Sequence, residues 1–347
     1  MENKEKEVLL KVRGAKTYFP IKKGLMKRTV GYVKAVDDIS LDVYKGETLG
    51  LVGESGCGKT TLGKSILQLV PITDGSMEYK FEDGYKNLRT LSRKEIDNAR
   101  QKIQIVFQDP YSSLNPAFTI FGSLEDPLIK FGMKMKDDRI KKIGVLLESV
   151  YLPRDYMTRY PNEFSGGQRQ RIGIARALSG NPELIICDEA VSALDVSIQA
   201  QVLKLLNQLK EEYKLTYIFI THDLSVVEYL ADRIAVMYLG RVVELTTSEE
   251  LFANTLHPYT KALLSAIPVA DVNQTKKRIP LQVYVPSPAN PPSGCTFHPR
   301  CPEVCERCKT ERPMLEEYII DGVSHFVSCH KVKEELAAKG ILPVVKE

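Results

Sequence analysis

The sequence has 347 residues, which exceeds the usual length of one domain and indicates a large domain with an appendage, or two domains. Hydrophobic residues make up 43% and charged residues 27%, which are globular-protein values that exclude extended disorder. The formal net charge of +4 is too small to indicate nucleic-acid binding by itself, and we expect no nucleic-acid partner.

The beginning of the chain, MENKEKEVLL, lacks the long apolar core of a signal peptide. No later apolar run approaches the ~20 residues that a membrane helix needs. We therefore expect a cytosolic protein, in which seven cysteines would stay reduced rather than form structural disulfides.

Residues 8–44 contain alternating stretches rich in β-branched residues, which predict antiparallel strands with a basic turn at Lys22 to Arg28. The apolar run from Thr48 to Val52 predicts a further strand, and Thr61 to Leu69 predicts a helix. Between this strand and this helix lies the glycine-rich stretch GESGCGKT, Gly53 to Thr60.

This stretch has the pattern of a phosphate-binding loop. Its glycines let the backbone fold around an anion with the N–H groups pointing inward, and the following helix dipole favours negative charge. In this pattern Lys59 reaches the β- and γ-phosphates and the Thr60 hydroxyl ligates Mg²⁺. A chance glycine loop is the weaker alternative. The residues assigned to nucleotide binding are Gly53, Glu54, Ser55, Gly56, Cys57, Gly58, Lys59, Thr60 and Thr61.

The middle of the chain alternates predicted strands and helices, which indicates a parallel sheet covered on both faces. The pattern is helical between about Phe118 and Arg159, and a long amphipathic helix is expected from about Ser197 to Tyr213. Within the first of these segments, a core-facing stripe is predicted at Ile140, Ile143, Leu146, Leu147 and Val150. The predicted strands are 103–107, 183–188 and 217–220. Ligands of such sheets bind at the carboxyl ends of the strands, where Gly53, Asp188 and His222 fall.

Two carboxylates end the apolar strand at residues 183–188. A phosphate loop needs a carboxylate to hold Mg²⁺, and Asp188 is placed for that role. Glu189 follows directly and is placed to polarise an attacking water as a general base. The alternative is that both residues merely begin a loop.

A second glycine-rich helix opening lies at Phe164 to Gln168, reading FSGGQ. Its polar start, followed by a helical pattern, predicts another helix N-terminus that can face a phosphate. The chain would then carry two phosphate-facing surfaces.

With these motifs together, the chain resembles the ATP-binding subunits of ATP-binding cassette (ABC) transporters over roughly residues 8 to 330. The matching motifs are Walker A at Gly53 to Thr60, the Q-loop Gln108, the signature Ser165, Gly166, Gly167 and Gln168, Walker B Asp188 with Glu189, the D-loop Ser192 to Asp195, and the switch His222. Phe19 matches the aromatic residue that stacks on adenine better than Tyr18 does.

The resemblance implies an α/β fold of the P-loop NTPase type. Its expected parts are a RecA-like parallel sheet core, an antiparallel β subdomain, a helical subdomain at about 111–178, and a C-terminal Cys-rich extension. The expected domains are a nucleotide-binding domain at residues 5–256 and an extension at 257–335.

The resemblance also implies an ATPase that works as a head-to-tail dimer, in which each ATP lies between the Walker motifs of one subunit and the signature of the other. Catalytic roles fall to Glu189, to His222 on the γ-phosphate, and to Gln108, which senses Mg²⁺ and water. Magnesium would be held by Thr60, Gln108 and Asp188.

A finer resemblance lies in FQDPYSSLNP, Phe107 to Pro116, and in HPYTKALL, His257 to Leu264. Both are similar to the dipeptide and oligopeptide importer branch, and the first is closest to its F-type ATPase subunit. This implies a second, different ATPase subunit, two membrane permeases and an extracytoplasmic solute-binding protein as partners. The implied location is the cytoplasmic face of the cell membrane, as a peripheral protein.

Two alternatives remain open for the function. Related importers also move nickel or oligosaccharides, so peptides are the default substrate only. A soluble, non-transport cassette ATPase is the other alternative, although such proteins usually carry two cassettes or long coiled-coil insertions.

Five of the seven cysteines lie between Cys295 and Cys329. Only Cys305 and Cys308 form a CxxC pair, which weakens a zinc site made of two such pairs. Four thiolates can also hold an iron–sulfur cluster. The resemblance to the importer branch implies a [4Fe-4S] cluster at Cys295, Cys301, Cys308 and Cys329, with Cys305 spare. Zinc, with His298, His325 or His330 replacing a ligand, and a set of free cysteines remain the alternatives.

Overall fold

The computed structural model describes residues 6–109, 113–267, 279–281 and 284–345. Residue 5, where the predicted nucleotide-binding domain begins, and Pro110, Tyr111 and Ser112 of the importer-like stretch lie outside the described residues. Within the described ranges, none of the helices combines the length and the apolar character that crossing a membrane requires.

The described residues form strands and helices that alternate over much of the chain. The strands are β1 (Val8–Lys23), β2 (Arg28–Tyr44), β3 (Thr48–Val52), β4 (Asp74–Phe81), β5 (Gly84–Asn87), β6 (Ile103–Val106), β7 (Leu184–Asp188), β8 (Thr216–Thr221), β9 (Arg233–Tyr238), β10 (Arg241–Thr247), β11 (Glu316–Ile320) and β12 (Val323–Val327). The helices are α1 (Lys59–Ile66), α2 (Arg93–Lys102), α3 (Ile120–Lys130), α4 (Lys136–Ser149), α5 (Gly166–Leu178), α6 (Val196–Tyr213), α7 (Leu224–Leu230), α8 (Ser248–Ala253), α9 (Pro258–Ser265), α10 (Glu306–Thr310) and α11 (His330–Ala338).

The chain divides into two compact units. One consists mainly of Tyr44–Thr48 and Thr90–Thr221; the other consists of Val8–Val43, Leu49–Arg89 and the residues from His222 onward. The boundary predicted between residues 256 and 257, which separates a nucleotide-binding domain from an extension, does not coincide with the division between these two units. It stays a prediction.

The unit that contains Thr90–Thr221 is built on the parallel strands β6, β7 and β8, with β7 in the middle. All five residues of β7 and all six of β8 are buried, as expected for strands that are covered on both faces. The predicted parallel α/β core is therefore confirmed, and it brings Asp188 to the carboxyl end of β7.

Helices α3, α4 and α5 occupy the segment where a helical subdomain is predicted. Of the predicted core stripe on α4, Ile143, Leu146, Leu147 and Val150 are buried. Ile140 is 38% exposed, so the prediction that it belongs to the buried stripe is wrong. It lies in the second turn of α4, on the solvent side.

The other unit has an antiparallel sheet in the order β2-β1-β4-β5, which confirms the antiparallel β subdomain. Strand β1 ends at Lys23 and β2 begins at Arg28, so the turn lies within the predicted Lys22 to Arg28 and is slightly shorter, with Lys27 N donating to Gly24 O at 3.0 Å. In the same unit, β3 pairs in parallel with β9, and β9, β10, β12 and β11 follow in antiparallel order.

The β11–β12 hairpin was not expected from the sequence. Its tight turn is Asp321-Gly322, with both residues at positive φ. Strand β12 pairs with β10, and the buried His325 lies 2.8 Å from a carboxylate oxygen of Glu244 and 3.5 Å from one of Glu250. The C-terminal segment is thereby joined to a strand of the predicted nucleotide-binding domain through hydrogen bonds and a buried polar group.

Candidate nucleotide and thiol sites

The phosphate loop, Gly53–Thr60, lies between the buried strand β3 and helix α1, as predicted. Two of its glycines are required by close packing at positive φ. A Cβ at Gly53 would lie 2.2 Å from the Met237 carbonyl oxygen, and one at Gly58 would lie 2.0 Å from that of Ala35. Helix α1 begins at Lys59 and ends at Ile66, earlier than the predicted Leu69, and Gln68 has a positive φ just beyond it.

Lys59 lies inside the curl of this loop. Its side-chain nitrogen donates to the Gly53 carbonyl at 2.7 Å and to the Glu54 carbonyl at 3.1 Å. Its residue is only 5% exposed. The ammonium is therefore fixed at the loop backbone, where a bound phosphate chain would meet it. Burial raises the pKa of the neighbouring Cys57 thiol, which favours its protonated form.

In the unit that contains Thr90–Thr221, two predicted catalytic residues are in direct contact. The Gln108 side-chain amide donates to a carboxylate oxygen of Glu189 at 2.8 Å. Gln108 follows β6 by two residues and Glu189 follows β7 directly, so both hold positions at the carboxyl ends of parallel strands.

Glu189 also has an unusual backbone. Its φ is 49°, in the left-handed region that is uncommon for residues other than glycine, and its N–H donates to the Ile220 carbonyl at 2.9 Å. Strained backbone of this kind is found at functional positions when the surroundings fix it. The adjacent Asp188 is buried at the last position of β7.

The signature Ser165–Gln168 opens helix α5 with a capping box. The Ser165 hydroxyl accepts from Gln168 N at 3.3 Å, and the Gln168 side chain accepts from Ser165 N at 3.0 Å. A Cβ at Gly167 would lie 2.4 Å from a methyl carbon of Ile198, so only glycine fits there without movement. Asp195, the last residue of the D-loop, caps the helix that carries Ile198.

His222 and Phe19 are both solvent-exposed. His222 directly follows β8, the position predicted for the switch histidine. Phe19 is 40% exposed, whereas the Tyr18 hydroxyl donates to the Asp37 carboxylate at 2.5 Å. The exposed ring of Phe19 is available for stacking on adenine, whereas the ring of Tyr18 is held in place through its hydroxyl group. This difference supports the choice of Phe19.

The four cysteines predicted as cluster ligands form one electrostatic group in the unit that contains residues from His222 onward. Cys295 interacts with Cys308 and Cys329, and Cys301 interacts with all three of these. Burial raises the pKa of Cys295 to about 11 and that of Cys301 to about 12, and it also raises the pKa values of Cys308 and Cys329. Cys305 differs, because its hydrogen bond with the Cys308 thiol lowers its pKa.

Nearby main-chain N–H groups oppose the effect of burial on the pKa values of three of these thiols. They belong to Phe297 and His298 for Cys295, to Glu303 for Cys301, and to Lys331 and Val332, at the start of α11, for Cys329. Such donors stabilise thiolates, and they are the contacts by which proteins tune iron–sulfur clusters.

A set of four half-buried or buried thiols with main-chain donors suits an iron–sulfur cluster or zinc in its chemistry. In the described ranges, however, no group of three or more His, Cys, Asp or Glu side chains is arranged to hold a metal ion. The three histidines considered as zinc ligands have other partners: the Cys295 carbonyl for His298, Glu244 for His325, and the Glu311 carbonyl for His330.

Two residues at the phosphate loop were missed by sequence reasoning. Arg300 forms a bidentate ion pair with the Glu54 carboxylate, and the Tyr259 hydroxyl accepts from Glu54 N at 2.9 Å. Both lie more than 200 residues further along the chain. Tyr259 falls in the importer-like stretch His257 to Leu264, but no local pattern marks the contact of either residue with Glu54.

Two family models match the sequence. Residues 36–192 match the ABC transporter family, and residues 243–308 match the oligopeptide/dipeptide transporter C-terminal region.

Two curated relatives are similar over almost their full lengths. The oligopeptide transport ATP-binding protein AppF of Bacillus subtilis is 52% identical over 327 residues, which cover 93% of this chain and 97% of AppF. The dipeptide transport ATP-binding protein DppF of Haemophilus influenzae is 48% identical, with coverage of 91% and 95%.

Solved structures give the same result for the fold. The ATP-binding cassette MJ0796, solved as a dimer in a post-hydrolysis state bound to ADP and Pi, aligns with a TM-score of 0.60 and 29% identity, covering 69% of this chain and 99% of MJ0796. The cbiO1 protein from Clostridium perfringens, described as part of an ABC transporter complex, aligns with a TM-score of 0.60 and 26% identity, covering 72% and 92%.

Proposed function

Because the chain belongs to the ATP-binding proteins of oligopeptide and dipeptide ABC transporters, we propose that it binds and hydrolyses ATP to energise import of di- or oligopeptides. The chain is an ATPase of this family. The observation that carries the peptide assignment is the pair of matches, the cassette at 36–192 and the oligopeptide/dipeptide C-terminal region at 243–308, in one chain. A full-length relationship at 52% identity supports the same assignment.

The proposed chemistry uses the residues singled out above. The phosphate loop from Gly53 to Thr61 would bind the phosphates, and Phe19 would stack on adenine. Magnesium would be held by Thr60, Gln108 and Asp188, and it would supply charge neutralisation of the phosphates.

Glu189 would accept a proton from the attacking water, and His222 would contact the γ-phosphate. The hydrogen bond from Gln108 to Glu189 supports this arrangement, because it holds the carboxylate in one orientation at the end of β7. The same hydrogen bond joins the loop after β6 to the proposed general base, so a movement of that loop would reorient Glu189.

We also propose that the chain acts with a second, different ATPase subunit, two permeases and an extracytoplasmic solute-binding protein. In such a pair the signature Ser165–Gln168 of one subunit would face the phosphates bound at the Walker A loop of the other. This would place the chain at the cytoplasmic face of the membrane, as a peripheral subunit.

For the cysteines we propose a [4Fe-4S] cluster held by Cys295, Cys301, Cys308 and Cys329, with zinc as the alternative metal. The burial or partial burial of these four thiols and their clustering between Cys295 and Cys329 support it.

The transport function is tested by purifying the tagged chain from its own membranes in detergent and identifying what accompanies it. A second ATPase subunit and two permeases are expected, and the reconstituted complex should hydrolyse ATP faster when a peptide-loaded binding protein is added. Stimulation by nickel or an oligosaccharide, and not by peptides, would assign that compound as the transported substrate instead. Recovery with ribosomes or nucleic acid and without permeases would contradict the transport function.

The cluster is tested by anaerobic purification followed by iron, sulfide and zinc analysis and visible absorption. The Cys308→Ser variant should lose iron and absorbance, and the matched Cys305→Ser variant should keep both. Stoichiometric zinc without iron in the wild-type protein would reverse the assignment. If the protein contained neither metal, the alternative of free cysteines would replace the cluster.

A further inference from the structure

The loop between two of the proposed cluster ligands, Cys295 and Cys301, reaches the phosphate loop. Its Arg300 places one guanidinium nitrogen 2.6 Å from one carboxylate oxygen of Glu54 and the other nitrogen 2.9 Å from the second oxygen. The Arg300 side chain is 5% exposed and that of Glu54 is 27% exposed. A bidentate pair with so little exposure is fixed in geometry and weakly screened by salt.

An aromatic cluster holds Arg300 in place. Phe297, from the same loop, packs against Tyr238 and Tyr259 at ring-centroid distances of 5.2 and 5.4 Å, and it is 1% exposed. Tyr259 in turn accepts a hydrogen bond from the backbone N–H of Glu54. Both the carboxylate and the backbone amide of Glu54 are therefore held by the C-terminal segment.

Charge gives this pair a consequence for nucleotide binding. Glu54 is the second residue of the loop that binds a polyanion, and an uncompensated carboxylate there would repel the phosphates. Its carbonyl also accepts a hydrogen bond from Lys59, so a displaced Glu54 would disturb the lysine that binds the phosphates. An ion pair that neutralises the Glu54 carboxylate and holds Glu54 in position therefore favours the binding of ATP.

We propose that Arg300 is a positioning residue for ATP binding, which acts through Glu54 and makes the C-terminal segment a structural part of the phosphate loop. Arg300 does not touch the nucleotide in this proposal. The inference rests on the ATPase function and goes beyond it, because it assigns a role at the nucleotide site to the extension that carries the cysteines.

The test is Arg300→Met, with the dissociation constant of a fluorescent ATP analogue and the KM and kcat of hydrolysis measured on the full chain. Arg300→Met should raise the dissociation constant and KM at least about tenfold, because a half-buried carboxylate loses its only bidentate partner among the described side chains, while kcat changes much less. The Arg300→Lys variant, which keeps the charge, should recover part of the affinity.

The double variant Glu54→Gln/Arg300→Met separates this role from general structural damage. Removing both charges should lower the dissociation constant clearly below that of Arg300→Met alone, because no unpaired carboxylate remains. This variant and Arg300→Lys also keep the test valid if Arg300→Met does not fold.

The matched control is Arg312→Met, since Arg312 also joins the C-terminal segment to a carboxylate, that of Asp38, at 2.8 Å. Its affinity for the ATP analogue should stay close to wild type. Equal affinity in Arg300→Met and wild type, or equal losses in Arg300→Met and Arg312→Met, would overturn the proposal. A wild-type chain that binds no ATP would instead overturn the ATPase function itself.

Discussion

At the scale of single residues, the hydrogen bond between Gln108 and Glu189 supports the assignment of Glu189 as a general base. A base must be oriented before a water can be deprotonated, and the amide of Gln108 holds one oxygen of the carboxylate at 2.8 Å. The positive φ of Glu189 adds a backbone constraint at the same residue. Both features fix where the second oxygen lies.

We expect Glu189→Gln to bind ATP with nearly wild-type affinity and to hydrolyse it about 10²–10⁴-fold more slowly. The substitution keeps the size of the side chain and removes its capacity to take a proton. Equilibrium binding of ATP and the steady-state release of phosphate measure the two effects separately.

The control for this variant is Glu183→Gln, because Glu183 lies at the other end of the same strand and pairs with Lys102 at 2.9 Å. Its hydrolysis rate should stay within about twofold of wild type, as expected for the loss of a partly exposed ion pair. Wild-type-like turnover in Glu189→Gln would remove Glu189 from the base role.

Residues that act through their immediate neighbours in sequence could be predicted, and residues that act across the chain could not. Gly53, Lys59 and Ser165 belong to short patterns whose geometry is set by a strand end or a helix start. Arg300 gains its role only when folding brings it to Glu54, which is 246 positions earlier. Neither residue carries a local signal of that contact.

At the scale of elements, the strands that end in functional residues were predicted because they are continuous apolar runs. The β11–β12 hairpin was missed, although Asp321-Gly322 is a strong turn signal and the flanking segments EEYII and VSHFV are rich in residues that favour strands. Helix α2 was also missed, because its sequence, RKEIDNARQK, is almost wholly polar. Its start is set by the capping box at Ser92 rather than by an apolar stripe.

Helix α9 begins with an unusual cap, the buried His257, whose Nδ1 accepts from Tyr259 N at 3.1 Å. Burial lowers the pKa of this histidine from 6.5 to about 4, so the folded protein keeps it neutral. The unfolded chain binds a proton near pH 6.5, and the folded chain does not until about pH 4. Stability contributed by the neutral form is therefore present above pH 6.5 and is lost as the pH falls towards 4.

We expect His257→Asn to reduce the acid sensitivity of folding, because asparagine also caps helices and does not titrate. Between pH 7 and 5, the wild-type free energy of unfolding should fall by about 2 kcal/mol more than that of the variant. Urea unfolding at the two pH values measures the difference.

Between pH 7 and 8 the two proteins should show the same pH dependence, since His257 is neutral in both the folded and most of the unfolded chain there. Equal losses of stability on acidification to pH 5 would show that His257 does not titrate as its burial implies.

At the scale of the whole molecule, the chain carries more than one surface that can face a phosphate. The Walker A loop presents main-chain N–H groups and Lys59, and the capped start of α5 presents the N–H groups of the signature. In the head-to-tail dimer that we propose, the Walker A loop of one subunit and the signature of the other would face the same nucleotide.

We expect the isolated chain to bind ATP readily and to hydrolyse it slowly, with a turnover per chain that rises with protein concentration and rises further when the second ATPase subunit is added. The Ser165→Arg variant should bind ATP as tightly as wild type, because Ser165 acts on the nucleotide of the other subunit, but it should remain slow at every concentration. Mixing it with Lys59→Ala, which binds ATP poorly, should restore part of the turnover, because one composite site in the mixed dimer is intact. Fast turnover by a monomer, independent of concentration, would contradict the shared site.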